Sequence, residues 1–179
     1  MNSATNILKE EHRIIERMLN VLDLVSRNIE KVDIKIFEKI FDFIENFIDK
    51  CHHRKEETVL FPNLEIRGIP KIGGPIGVML MEHEEAKEYV NKLKVAVANY
   101  YSGDKKAKDQ IIKYINEYVF LLRQHIMKED NVLFPMADNL ISENENLEII
   151  EKFEEIEGKT GKHEKYEKYI EEIENLLSA

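Results

Sequence analysis

Apolar side chains recur at three- and four-residue steps along most of the chain, and no stretch has the strict alternation of a half-buried strand. Long amphipathic helices are the economical reading. The first is expected from about Thr5 to Asn28, with Leu8, Ile15, Leu19 and Leu22 on one stripe. The second begins near Asp33 and carries Phe37, Phe41, Ile44, Ile48 and Val59 until Pro62 ends or bends it. Between Pro62 and Pro75 the glycines Gly68, Gly73 and Gly74 mark a loop. A third helix spans about Ile76 to Tyr101, with Ile76, Leu80, Val90, Leu93 and Val97 inward. After Ser102-Gly103-Asp104 a fourth runs to about Leu140, bent if anywhere near Pro135. Residues 143–157 read as a short acidic helix, and Gly158 to Gly161 separates it from a last helix ending near Leu177. Four long helices joined by short turns predict an all-α, antiparallel four-helix bundle over residues 1–141, with a C-terminal helical pair, 142–179, packed on it.

Composition narrows the chemistry. Lys and Arg number 26 against 35 Asp and Glu, a formal charge of −9, so the basic stripe that holds a phosphate backbone is missing and no nucleic-acid partner is expected. The longest apolar runs, around Val78-Met79-Leu80-Met81 and Tyr118 to Leu122, fall short of the roughly 18 residues that span a bilayer, so no membrane partner is expected either. The first residues lack the basic and apolar regions of a signal peptide, and a cytoplasmic location is expected. The single Cys51 permits neither an internal disulfide nor a thiolate zinc cage, so any metal must be held by His and carboxylate. Six histidines are available.

Sliding the chain on itself by 73 residues sets His52-His53-Arg54-Lys55-Glu56-Glu57-Thr58-Val59-Leu60-Phe61-Pro62 over His125-Ile126-Met127-Lys128-Glu129-Asp130-Asn131-Val132-Leu133-Phe134-Pro135. His, Lys, Glu and the Val-Leu-Phe-Pro ending coincide, and an acid follows the Glu in each copy. Helices two and four are therefore expected to be related by an internal pseudo-twofold, each placing His and Glu one turn apart on one face. Spacing alone is weak, because five of the six histidines have Glu four residues on. The face each histidine occupies discriminates. His52 continues the stripe of Phe41, Ile44 and Ile48, whereas His53 follows Asn46, Asp49 and Lys50 and is expected to face solvent. His125 follows Tyr118, Leu121 and Leu122; His12 sits between Leu8 and Ile15; His83 sits between Leu80 and Val90. Each main helix thus sends a histidine inward, and two add a glutamate.

A lone core histidine satisfied by one hydrogen bond is the bland reading of any one of these. Glu56 and Glu129 inside an apolar bundle weigh against it, because buried carboxylates need a cationic partner. A pair of divalent ions, bridged by the carboxylates and capped by imidazoles, supplies one. Nitrogen and oxygen donors without thiolate suit iron or manganese better than copper, and zinc is compatible with the ligand types.

The combination of Glu11-His12-Arg13, the doubled His-x-x-x-Glu element ending in Leu-Phe-Pro, and Gly73-Gly74-Pro75-Ile76-Gly77-Val78-Met79 leading into Glu82-His83-Glu84-Glu85-Ala86 resembles the hemerythrin-like, HHE cation-binding family over roughly residues 5–140. The resemblance implies a non-haem di-iron centre in a four-helix bundle, held by His12, His52, Glu56, His83, His125 and Glu129. Two departures from the oxygen carriers of that family matter. Their second histidine on the third helix is Lys87 here, and their last carboxylate, which would fall on Asp130, is matched instead by Glu129. His-x-x-x-Glu in both copies looks more like the di-iron proteins of nitric-oxide stress and iron–sulfur cluster repair, without their cysteine-bearing N-terminal segment.

Six protein ligands for two ions leave room for a small ligand, so binding or redox handling of oxygen, nitric oxide or peroxide is the expected function. Peroxide reduction or iron delivery, with an electron donor, and sensing through a protein partner docked on the C-terminal pair are the alternatives. Cys51 is expected in the core, Tyr118 in aromatic packing or lining the pocket, Lys87 in solvent or near the mouth, and His163, on the stripe of Tyr166, Ile170, Ile173 and Leu177, inward as a cap or an added ligand.

Overall fold

The computed structural model describes residues 2–160 and 163–178, with the side chains of all of these except 159 and 160. The described residues form six helices and no strand. Helix α1 is Ala4–Arg27, and its N-cap Ser3 accepts a hydrogen bond from the Asn6 amide. After a single 3₁₀ turn at Ile29–Lys31, α2 runs without interruption over residues 34–66, starting from an Asp33 cap that accepts from the Lys35 amide. Helix α3 is Pro75–Tyr101, α4 covers residues 107–140, α5 is Glu143–Thr160 and α6 is His163–Leu177. The acidic helix α5 therefore continues through Gly158, and the expected break at Gly161 falls outside the described residues.

Neither Pro62 nor Pro135 ends its helix. Each sits in the first turn of an α-helical segment, Phe61–Ile66 or Phe134–Leu140, that follows directly on π-helical backbone, Glu56–Leu60 or Glu129–Leu133. A proline inside an α-helix lacks a donor and crowds the carbonyl four residues back. The wider π turn just ahead accommodates both defects, so α2 runs four residues past Pro62 and the loop shrinks to residues 67–74. That loop presses tightly on the start of α3, where a Cβ at Gly77 would collide with the Lys71 carbonyl oxygen.

Two apolar clusters fill the bundle. One gathers Ile15 to Val25 of α1, Phe37 to Ile48 of α2, Val90 to Tyr100 of α3, Ile111 to Ile126 of α4, and Tyr166, Ile170 and Ile173 of α6. The other gathers Leu8, Leu60, Phe61, Leu64, Ile76, Met79, Leu133 and Phe134 with Ile149 and Phe153 of α5. Between them lies a layer of buried polar side chains, in which His12, His52, Glu56, His83, His125 and Glu129 are each at most 1% exposed. Helices α5 and α6 contribute to one apolar cluster each, so the C-terminal hairpin spans the polar layer from outside.

Phe153 is 1% exposed and lies under the Lys55 ammonium, 5.8 Å from ring centre to Nζ. Phe153→Ala is expected to cost about 3–5 kcal/mol in equilibrium denaturation, as for other buried aromatic truncations. A cost below about 1 kcal/mol would mean that the hairpin is not part of the cooperative unit.

Candidate metal centre

Four helices converge on the polar layer. Helix α1 brings His12, α2 brings His52, His53 and Glu56, α3 brings His83, and α4 brings His125 and Glu129. Two sets of donors lie close enough to share an ion each, with atoms mutually within 4.8 Å: His53, Glu56, His83 and His125 in one, His12, His52, Glu56 and Glu129 in the other. Glu56 belongs to both, and Glu129 also touches His125 Nε2. His52 Nε2 lies 3.1 Å from Glu56 Oε1, His83 Nε2 lies 3.2 Å from Glu56 Oε2, and His12 Nε2 lies 3.7 Å from Glu129 Oε2.

The six residues expected to face one another do so. His53 does not face solvent: it is 2% exposed and stacks on His83 with ring centroids 3.7 Å apart. The cause is the backbone of α2, which is π-helical from Phe43 to His53. A turn wider than about 3.6 residues separates successive side chains by less than an α-helix does, so His52 and His53 both reach the interior. His53 also stands beside His83 and His125, with ring centroids 3.7 and 5.9 Å from its own. Lys87 pairs with Glu84 at 2.9 Å on the surface. Tyr118 packs in the apolar cluster.

The outward ring nitrogens carry a second pattern. Glu11 on α1 meets His52 Nδ1 on α2 at 3.2 Å, Glu57 on α2 meets His83 Nδ1 on α3 at 2.8 Å, Glu82 on α3 meets His125 Nδ1 on α4 at 2.8 Å, and Asp130 on α4 meets His12 Nδ1 on α1 at 2.7 Å. Each acid is the immediate neighbour of an inward donor on its own helix. It precedes that donor on α1 and α3 and follows it on α2 and α4, so in antiparallel helices all four acids point the same way round the bundle. The ring is closed. Internal symmetry extends to the lysines of the repeat, since Lys55 pairs with Glu11 at 2.7 Å and Lys128 pairs with Glu82. The fifth histidine departs from the pattern: Asp49, on its own helix, brings Oδ1 to 3.5 Å from His53 Nδ1, which is buried without a hydrogen bond. An imidazole whose outer N–H is held by a carboxylate presents its other nitrogen as a lone pair, the usual second layer behind a metal ligand.

The inner atoms are poorly satisfied without a cation. Both oxygens of Glu56, both of Glu129, and His12 Nε2 are buried without a well-formed hydrogen bond. His83 Nε2 and His125 Nε2 face each other at 3.1 Å, which is the spacing of adjacent ligands on one ion with bonds of about 2.0–2.2 Å. Burial drives both carboxyls up. His52 beside it brings Glu56 back well below the carboxylate range, whereas Glu129, raised further by the charge on Glu56, rests at about 7. Burial likewise holds His53 well down and His12 at about 4, the latter against its hydrogen bond to Asp130. His125 overcomes burial through Glu129 and is pushed up to about 10. Against burial, Glu56 and Glu11 also raise His52 well above its ordinary value, so protons on His52, His125 and in part Glu129 occupy the place where a divalent charge fits, and the donor set suits such a charge.

Residues 3–137 match the family described as the hemerythrin HHE cation binding domain. The chain belongs to that family. The HHE domain described there accounts for α1 to α4, and the resemblance read from the repeat and from Glu11-His12 holds. Among characterized and uncharacterized relatives, the chain is 24% identical over 154 residues to an uncharacterized protein of Mycobacterium tuberculosis, covering 84% of this chain and 60% of that one. It is 39% identical over 88 residues to the iron-sulfur cluster repair protein YtfE of Salmonella schwarzengrund, covering 48% of this chain and 40% of that one. The chain thus spans 60% or less of the length of these relatives. Among the described residues no helix is long and apolar enough to cross a membrane.

Sequence reasoning missed His53 and the ring of acids. The signal for the ring was present, as an acid beside Glu56, His83, Glu129 and His12; nothing in an α-helical wheel signalled the π turns. Because metal must displace protons from His52, His125 and in part Glu129, adding zinc to metal-free protein in weak buffer near neutral pH is expected to release more than one proton per chain, and affinity is expected to fall on acidification. Zinc uptake without proton release would contradict this protonation pattern.

Proposed function

We propose that the HHE domain of this chain holds two iron ions and uses them to bind, or exchange electrons with, a small molecule such as oxygen, nitric oxide or peroxide. The observation that carries the reading is the set of five buried imidazoles around Glu56 and Glu129, four of them with the outer nitrogen hydrogen-bonded to a carboxylate. Two ferrous ions there would supply one electron each. His53, His83 and His125 would hold one ion and His12 and His52 the other, with Glu56 and Glu129 bridging. That gives five protein donors to the first and four to the second, so the position beside His12 and His52 is the more open. The same donor types are compatible with manganese or zinc, and iron is the ion proposed.

The chain's own contribution is placement and exclusion of water. The acid ring fixes each ring plane, Phe134 stacks on His12 with centroids 5.4 Å apart, and the apolar clusters close the layer above and below. Such a dry, rigid surround strengthens electrostatic interactions at the centre. A second reading, iron delivery in iron–sulfur cluster repair, is favoured by the likeness to the Salmonella repair protein, and it requires a protein partner that accepts iron.

Protein produced with ample iron is expected to contain at least two iron ions per chain, and about one fewer in each of His52→Ala and His53→Ala, by metal analysis. A His53→Ala protein that keeps the wild-type count would return the ligand role on α2 to His52 alone. Reduced anaerobic protein is expected to change its optical spectrum on exposure to oxygen or nitric oxide, with the change diminished in His12→Ala. A spectrum indifferent to both gases, with transfer of iron to an apo iron–sulfur acceptor, would favour the repair reading instead.

A further inference from the structure

A third group of donors lies outside the centre, where the C-terminal hairpin meets the bundle. Glu11 of α1, Cys51 of α2 and His163 of α6 offer ligand atoms within 4.8 Å of one another. His163 Nε2 is buried, 3.3 Å from Glu11 Oε2 and 2.9 Å from Glu157 Oε1 at the end of α5. Glu11 is 1% exposed and Cys51 2% exposed, so the donors sit inside the protein rather than on an acidic surface. His163, expected inward as a possible added ligand, is therefore with this group and not among the donors of the centre.

We propose that Glu11, Cys51 and His163, with Glu157 as a fourth donor, form a separate site for one borderline divalent ion such as zinc or ferrous iron. The donor chemistry is mixed thiolate, imidazole and carboxylate, which favours such ions over magnesium or calcium. Four donors at about 2.0–2.3 Å suit a tetrahedral ion; three of them already lie within 4.8 Å of one another, and Glu157 Oε1 lies 2.9 Å from His163 Nε2. Charge is balanced: Lys55, fully buried at 2.7 Å from Glu11 and 3.3 Å from Glu157, adds one positive charge to the ion's two, against Glu11, Glu157 and the thiolate. On binding, the thiol proton and any proton on His163 leave to solvent. Entry is open, since a cavity of about 370 Å³ lined by Glu10, Glu11, Arg17, His163 and Glu167 reaches the group from outside. The ion would tie α1 and α2 to both helices of the hairpin, with Glu11 shared between it and His52.

Cobalt(II) loaded anaerobically into the full chain tests the site, because a cysteine thiolate on cobalt gives an intense near-ultraviolet charge-transfer band and no donor of the centre is sulfur. The expected result is three cobalt ions per chain with that band. Cys51→Ser and His163→Gln, the latter at a position 29% exposed, should each abolish the band, leaving two ions and unchanged helicity by circular dichroism. A wild-type protein without the band, or variants that retain three ions, would overturn the proposal. The band reports on this site alone, so a centre that failed to bind its two ions would be recognised separately by the count.

Discussion

Two carboxylates, on Glu56 and Glu129, lie fully buried side by side between apolar clusters, and that arrangement stands only if positive charge reaches them. Most of the bundle's polar interior follows from this constraint. Imidazoles from four helices close on the pair, and four of the five are in turn held by an acid borrowed from a neighbouring helix. The acid ring couples the helices pairwise, α1 to α2, α2 to α3, α3 to α4 and α4 to α1. Displacing any one helix therefore disturbs a histidine on that helix and the acid behind a histidine on the next. Apolar packing tolerates sliding better than this, because it lacks direction.

The hairpin of α5 and α6 stands in a different relation to the layer. It buries Phe153 and Ile170 in the two apolar clusters and leans its charged residues on Lys55 and Glu11. Lys55 is the hinge of that contact: it is fully buried, and both of its acidic partners, one from the bundle and one from the hairpin, lie within 3.3 Å. Through His163 the hairpin also reaches Glu11, whose other oxygen faces His52.

Much of this was legible before any coordinates. Helical periodicity marked out all six helices, and the 73-residue repeat brought His52, Glu56, His125 and Glu129 to one place, since an inward stripe at α-helical spacing needs only sequence. His53 was misread because the wheel that places His52 inward turns its neighbour away, and the π backbone of Phe43–His53 removes the assumption behind the wheel. Pro62, read as ending or bending the second helix, does not end it, because a wide turn lets the helix continue. The acids Glu11, Glu57, Glu82 and Asp130 were visible as neighbours of the donors, but their direction depends on which helix lies next and which way it runs, and that is a property of the bundle.

Two copies of one element folded about a twofold would by symmetry make two equal halves. The repeat keeps nearly every member of the inner layer in register, down to the lysines behind Glu11 and Glu82. At one place it does not: where the first copy has His53 the second has Ile126. One donor group accordingly gathers three imidazoles and the other two. That single exchange gives an otherwise twofold cage a front and a back, and the front, with fewer side chains to displace, is the half that lies against α1 and the C-terminal hairpin.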